Sequence, residues 1–276
     1  MFPSTPSRAA AIALAVFAVA VPCRAASPDT PAAFEVGGTL DPSPGGGLRV
    51  RVTVRNTGGR PAEDVRVYGE LLGDRAAAEI TGTIEPGARR EVVLPLAHVV
   101  PTDGVHALVL RLDYDSVGAA DQAAAPLSQW AYLLLAFGTA PSPAITIELP
   151  RPRFDETTSV PLTLRSADGR AHRARLSLYV PRGLAAVPYR QTVDVPATGE
   201  AVARVRLFRA LASPHSTHGL LALAATEDED VVQTAAAVSL AEVGRDAAIV
   251  PRLRVPLLLV AGALVVVGVF RQWRRT

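Results

Sequence analysis

The sequence predicts an all-β fold: two tandem β-sandwich domains followed by one C-terminal transmembrane α-helix. Three observations predict it. Apolar residues recur at every second position from Phe34 to about Val243, the pattern repeats at a spacing near 110 residues, and an uncharged run, Val255–Phe270, follows it. Period two is the signature of strands with one face in a core and one in water. A chain of 276 residues, 49 % hydrophobic and 20 % charged, can bury cores of ordinary size and is not wholly disordered. The single Cys excludes a disulfide scaffold and any Cys-based zinc or iron–sulfur centre. All 28 basic residues are Arg, which, beside so much Ala, Gly and Pro, reflects the codon bias of a GC-rich genome.

Taken in chain order, residues 1–25 read as a secretory signal peptide. Arg8 supplies the positive n-region, Ala9–Val21 the apolar h-region, and Cys23-Arg24-Ala25 small residues at the −3 and −1 positions of a cleavage after Ala25. A lipidated Cys23 is the rival reading, which Val21 and Pro22 before it fit poorly. Leu48, Val50, Val52 and Val54 then alternate with Arg49, Arg51, Thr53 and Arg55, and Asn56-Thr57-Gly58-Gly59 turns the chain. Val65 and Val67 mark the next strand, Glu85-Pro86-Gly87 a turn into Glu91–Leu96, and Leu108, Leu110, Leu112 and Tyr114 one face of a further strand. Trp130–Phe137 is too short to span a membrane as a helix and suits a buried strand. This first sandwich covers 34–138. Residues 139–144 form a Pro-containing linker, semi-rigid by its two prolines, from which an extended rod of two domains is expected.

The second sandwich, 145–243, repeats the first. Val52, Val54, Gly59 and Arg60 recur 110 positions on as Leu162, Leu164, Gly169 and Arg170, and Val65, Val67 and Tyr68 recur as Leu176, Leu178 and Tyr179. Gly104, Ala107 and Leu108 match Gly219, Ala222 and Leu223, which aligns Asp113 and Asp115 with Asp228 and Asp230. A period near 110 residues is the size of an immunoglobulin-like domain. Val255–Phe270, flanked by Arg252 and Arg254 on one side and Arg271, Arg274 and Arg275 on the other, reads as a transmembrane helix of about 24 Å. Snorkelling Arg stems and interfacial Trp273 make up its shortfall, and residues 271–276 are left as a cytoplasmic tail, N-out and C-in.

The stretches LRVRVTVRNTGGRPAEDVRV, IEPGARREVVLPL and GVHALVLRLDYDS resemble the bacterial extracellular immunoglobulin-like modules of the CARDB and NEW3 type. The resemblance covers about 34–138, with a weaker second copy in which Ser166-Ala167-Asp168-Gly169 replaces Asn-Thr-Gly-Gly. It implies an immunoglobulin-like fold and an exported compartment, and its motifs are structural, with no catalytic residues to carry over.

Charge and motifs narrow the function classes. The two ends, 1–25 and 249–276, hold seven of the 28 basic residues and none of the 26 acidic ones, so the intervening chain is net negative by five and disfavours nucleic acid. His215-x-x-His218 has a metal-like spacing, but lies in a loop without a third ligand, and His98, His106 and His172 have no visible partners. Asp113/Asp115 and Asp228/Asp230, the latter with Glu227 and Glu229, are candidate calcium-binding loops that lack an EF-hand ladder. No nucleophile elbow, zinc-protease or phosphate-loop motif appears, so no catalytic, cofactor or metal residue is assigned. The expected protein is a non-enzymatic, single-pass component of the bacterial inner membrane with its ectodomain on the periplasmic or outer side. It acts as a structural or protein-interaction module, an accessory subunit of an envelope or export complex; the alternative is a periplasmic or surface carbohydrate-binding module.

Overall fold

The structure, a computed structural model, describes residues 32–42, 47–96, 102–116, 127–138, 143–210, 217–228 and 231–244. The expected signal peptide, transmembrane run and cytoplasmic tail lie outside the described residues, as do His98, His215 and Asp230. Among the described residues no helix is long and apolar enough to cross a membrane. Every regular element among them is a strand.

The first half is a sandwich of two sheets. One holds β1 (Phe34–Pro42), β2 (Leu48–Asn56) and β5 (Arg89–Leu96) in the order β1-β2-β5. The other holds β3 (Ala62–Leu71), β4 (Asp74–Ile80), β6 (Gly104–Ser116) and β7 (Leu127–Phe137) in the order β4-β3-β6-β7. Alternation sets the faces. Val50, Val52 and Val54 of β2 are fully buried between the sheets, opposite Val65 and Val67 of β3 and Leu108, Leu110 and Leu112 of β6. Each such side chain contributes about 1.5–3 kcal/mol by leaving water. The strands anticipated at Leu48–Arg55, Val65–Tyr68, Glu91–Leu96, Leu108–Tyr114 and Trp130–Phe137 are β2, β3, β5, β6 and β7. Strand β4 (DRAAAEI) carries no clear apolar alternation, because alanines stand both inward, at Ala76 and Ala78, and outward, at Ala77, and only Ile80 is a large inward apolar residue.

The second half contains β8 (Ile145–Glu148), β9 (Arg153–Phe154), β10 (Thr157–Ser166), β11 (His172–Tyr179), β12 (Leu184–Val187), β13 (Arg190–Val195), β14 (Ala201–Arg209), β15 (Thr217–Asp228) and β16 (Val231–Val243). Strands β12-β14-β10-β8 form one sheet and β13-β11-β15-β16 the facing layer, with β9 parallel to the end of β16. Its core runs through Leu162, Leu164, Leu176, Leu178, Val205, Leu207 and Leu220.

Pairing registers correct one part of the repeat. Val67 pairs with Leu112 and its counterpart Leu178 pairs with Ala222, so Leu112 corresponds to Ala222 and Leu110 to Leu220. Aligning Leu108 with Leu223 is therefore out of register by an odd number of residues, which exchanges the two faces of a strand. Leu108 lies in the first core, whereas Leu223 points out of the second. Asp113 and Asp115 accordingly correspond to Leu223 and Ala225, and not to Asp228 and Asp230.

The expected rod is also replaced. Strands β6 and β16 run parallel and pair at Gly104–Val232 and Val105–Gln233, which fuses the two four-stranded layers, together with β9, into one nine-stranded sheet. The Val232 N–H donates to the Asp103 carbonyl at 3.2 Å. Gly104 permits this: at φ +128° a Cβ would stand 2.0 Å from the Val232 carbonyl oxygen, inside any tolerable contact. The sandwiches therefore stand side by side, with β6 and β16 descending in the same direction from their joint.

Candidate functional site

Below that joint the outward faces of the two fused layers meet, and here the molecule concentrates its non-core chemistry. Val109 of β6, Leu221 and Leu223 of β15 form a third buried cluster, with Trp130 and Tyr132 of β7, Tyr179 of β11 and Ala236 of β16 packed around it. These positions have the opposite parity to the cores: Leu108 and Leu110 face inward while Val109 faces the neighbouring sandwich, and Leu220 and Ala222 face inward while Leu221 and Leu223 do the same. Strands β7 and β15 read as near-continuous apolar runs because both of their faces are covered.

Polar bonds rim the apolar patch. The Trp130 Nε1–H donates to the Val180 carbonyl at 2.7 Å, and its ring lies 5.0 Å from that of Tyr179. The Arg182 N–H donates to Ser128 Oγ at 2.9 Å. Asp113 is nearly buried, 9 % exposed, and its Oδ2 lies 3.1 Å from Arg111 Nη2 and 3.9 Å from Arg182 Nη2, so it ties both sandwiches together. Arg111 in turn stacks over Tyr68 at 4.5 Å. Glu70 bridges Arg75 at 3.0 Å and Arg190 of the second sandwich at 3.9 Å.

This placement bears on the sequence candidates that lie among the described residues. Asp113, proposed as a calcium ligand, holds two guanidinium groups, which oppose a divalent cation at the same carboxylate. Asp115 follows on the same face of β6, opposite Glu63. Asp228 ends β15. His218, 7 % exposed, starts β15 beside Ala241; His106 bonds through Nε2 to the Thr102 carbonyl at 2.9 Å and packs against Phe137. Among the described residues no three His, Cys, Asp or Glu side chains come together as a metal cluster.

His172 has a role that its sequence position does not reveal. It is buried, and its Nε2 lies 2.7 Å from Asp168 Oδ1 in the turn after β10. Asp168 Oδ1 also accepts from the Arg170 N–H and the Ser166 hydroxyl, each at 3.0 Å. The His172 hydrogen bond first, then that of Arg170, holds the Asp168 carboxyl down from 3.8 to about 2. Burial raises the phenol of Tyr114, which donates to the Ala32 carbonyl at 2.8 Å, and that of Tyr132 in the junction patch.

One further concavity, of about 510 Å³, lies at the end of the second sandwich where β16 finishes, lined among the described residues by Arg153, Phe154, Asp155, Thr217, Glu242, Val243 and Gly244. Arg153 and Glu242 pair across it at 2.7 Å, and Arg151 reaches the same carboxylate at 3.8 Å.

No protein-family model matches the chain, and no curated protein sequence matches it. Solved structures give distant likenesses. Red sea bream transglutaminase is 14 % identical, covering 76 % of this chain and 31 % of its own, with a TM-score of 0.26. Trypsin-activated alpha-2-macroglobulin from Escherichia coli is 11 % identical over 76 % of this chain and 18 % of its own, at 0.30. A Porphyromonas gingivalis W83 protein of unknown function is 19 % identical over 76 % of this chain and 99 % of its own, at 0.25. The chain thus spans less than a third of the transglutaminase and less than a fifth of the macroglobulin, and TM-scores of this size carry no functional argument.

Proposed function

We propose that the protein is a membrane-anchored component of a bacterial envelope whose two immunoglobulin-like sandwiches act as one rigid, non-enzymatic protein-interaction module, an accessory subunit of an inner-membrane envelope or export complex. The immunoglobulin-like reading rests on the strand order β1-β2-β5 facing β4-β3-β6-β7 and on its repetition in the second half. One observation carries the functional reading: the charges and aromatic rings of the junction, Asp113, Arg111, Arg182, Trp130 and Tyr179, are engaged in holding one sandwich to the other. A rigid double module with its polar groups engaged internally suits presentation of surfaces better than turnover of a substrate. The anchor in this reading is the uncharged run 255–270, which follows the second sandwich in the chain.

The carbohydrate-binding alternative calls for exposed aromatic rings. Among the described residues Tyr189, 63 % exposed, is the single aromatic side chain that stands open to solvent. The reading is tested by labelling topology and partners together. A reporter active in the cytoplasm alone, fused after Thr276, should be active while residues 26–248 are reached by periplasmic protease once unfolded, and crosslinking in native membranes should link the ectodomain to envelope proteins. A reporter active solely in the periplasm, or an ectodomain that captures glycan and no protein, would overturn it.

A further inference from the structure

The described residues present four outward-facing sheet surfaces, and they are not alike. Two, those of β4-β3-β6-β7 and β13-β11-β15-β16, bury parts of each other in the junction. The third, β1-β2-β5, intersperses its arginines with three carboxylates: Arg55 pairs with Glu35 at 3.6 Å, and Arg51 with Asp41 at 3.0 Å and Glu91 at 3.9 Å, while Arg49 and Arg89 stand exposed beside them. The fourth is the outward surface of β12-β14-β10-β8. At its centre Arg204 and Arg206 stand exposed on β14, two residues apart on one face, opposite Pro161 and Ser159 of β10. Among the described residues neither makes an ion pair. Arg165 of the same surface is already matched by Glu200, and Glu148 lies on β8, a whole strand beyond β10, opposite Thr163. Around the two arginines stand Val202, 52 % exposed, and Val187, 55 % exposed, two of the six most exposed large apolar side chains described. Val187 is in direct register with Arg206, and Phe208 continues the same face.

We propose that this surface is the docking face of the module, and that its partner is an acidic protein surface. The proposal rests on the protein-interaction reading and names the site and the chemistry. Two unpaired guanidiniums within a chain segment that is net negative are a local inversion of charge, and they give the face its complementarity to carboxylates. The flanking Val202, Val187 and Phe208 supply apolar area that loses water on contact, and arginines set among apolar side chains on the face of a four-stranded sheet match a protein surface better than a sugar or lipid chain. Arginine surrounded by apolar neighbours is also a common composition for the residues that dominate binding energy.

The test uses the full chain expressed in its native membrane, with a photo-crosslinking amino acid at Val202 and, separately, at Arg49 on the opposite outward face β1-β2-β5. Crosslinks from Val202 should reach a protein through a peptide rich in Asp and Glu. The double variant Arg204→Glu/Arg206→Glu should reduce that yield about tenfold, equivalent to about 1.4 kcal/mol. Its melting temperature should be unchanged, because both side chains are exposed, and Glu→Arg changes in the crosslinked peptide should restore the yield. Stronger crosslinks from Arg49, with Val202 products insensitive to the charge reversal, would overturn the choice of face while leaving a protein-interaction module. Products from Val202 that are lipid or glycan adducts would overturn the partner class. Absence of protein crosslinks from both positions would overturn this proposal and the functional reading on which it rests.

Discussion

The two sandwiches close the same turn with opposite chemistry. After β2 and after β10 the chain makes the same backbone bond, Thr57 N–H to the Ala33 carbonyl and Ala167 N–H to the Ala144 carbonyl, each at 2.7 Å. In the first sandwich the turn is organised by Asn56, fully buried and neutral. Its Nδ2 donates to the carbonyls of Arg60 at 2.8 Å and Ile84 at 2.9 Å, and its Oδ1 accepts from the Gly58 N–H at 2.9 Å. In the second, Asp168 does the work from the surface, as an anion held by His172, Arg170 and Ser166. A neutral amide can be sealed inside because every donor and acceptor is matched; a carboxylate has to stay near water and draws on charge. One scaffold position therefore has two stability mechanisms, one indifferent to pH and one not.

That contrast is sharpened first at Asn56. Asn56→Ala removes the acceptor of the buried Gly58 N–H and one donor from each of the Arg60 and Ile84 carbonyls, the latter keeping its bond from the Ala62 N–H, so a loss of roughly 2–4 kcal/mol is expected. Urea unfolding of a fragment comprising residues 26–248 should show it with the same size at pH 4 and pH 7. A loss under 1 kcal/mol, or one that changes with pH, would break the contrast. Next in size is the junction, to which the two sandwiches contribute unequally: Arg111 and Asp113 of β6 are charged where their register equivalents in β15, Leu221 and Leu223, are apolar. Trp130→Phe keeps an aromatic ring, though a smaller one, and removes the bond to the Val180 carbonyl, so it should cost about 1–2 kcal/mol. Circular dichroism melting measures that cost, and two separated transitions in the variant would show that this bond couples the halves.

The third effect is smaller and confined to acid. Asp168 has a depressed pKa, so its contribution is complete above its unfolded value of 3.8 and disappears as the pH falls to about 2. Asp168→Asn should therefore destabilise at pH 7 and show a flatter stability profile than the parent between about pH 4 and 2, which a urea titration at each pH reads directly. Equal slopes in that window would mean that His172 and Asp168 are not coupled. The smallest expected effect is none: millimolar calcium should leave the melting temperature unchanged, because Asp113 is neutralised by Arg111 and Arg182, and a rise of several degrees would restore the carboxylates as cation ligands.

Strand content was legible in the sequence wherever Val and Leu alternate with Arg and Thr, as in β2 and β6, because a half-buried strand writes its two faces into alternate positions. Strand β4 was not, since Ala76, Ala77 and Ala78 put the same residue on both faces and give no contrast. The turn at Asn56 was legible as a turn, but its burial was not, because that depends on the carbonyl of Ile84, 28 residues away. The junction left a partial trace: Trp130–Phe137 and Leu220–Ala225 are apolar at both parities, which requires a cover on both faces without saying what provides it. Proline content in the linker suggested stiffness and hence a rod; the direction of the chain after it is set by Gly104 and Val232, whose proximity no local pattern encodes. The proposed docking face was hidden for the same reason, since Val187 and Arg206 become neighbours through strand pairing alone.

The central claim is that the two sandwiches form one body joined through β6, β16 and the Trp130 patch. Small-angle X-ray scattering of the fragment 26–248 tests it most directly. A side-by-side body of this size should have a radius of gyration of about 17–19 Å, while two domains placed end to end on the 139–144 linker would give about 24 Å. A value near the lower figure, moving toward the higher one when Gly104 is changed to Val, is what the structure requires. A value near 24 Å in the unaltered protein would contradict it.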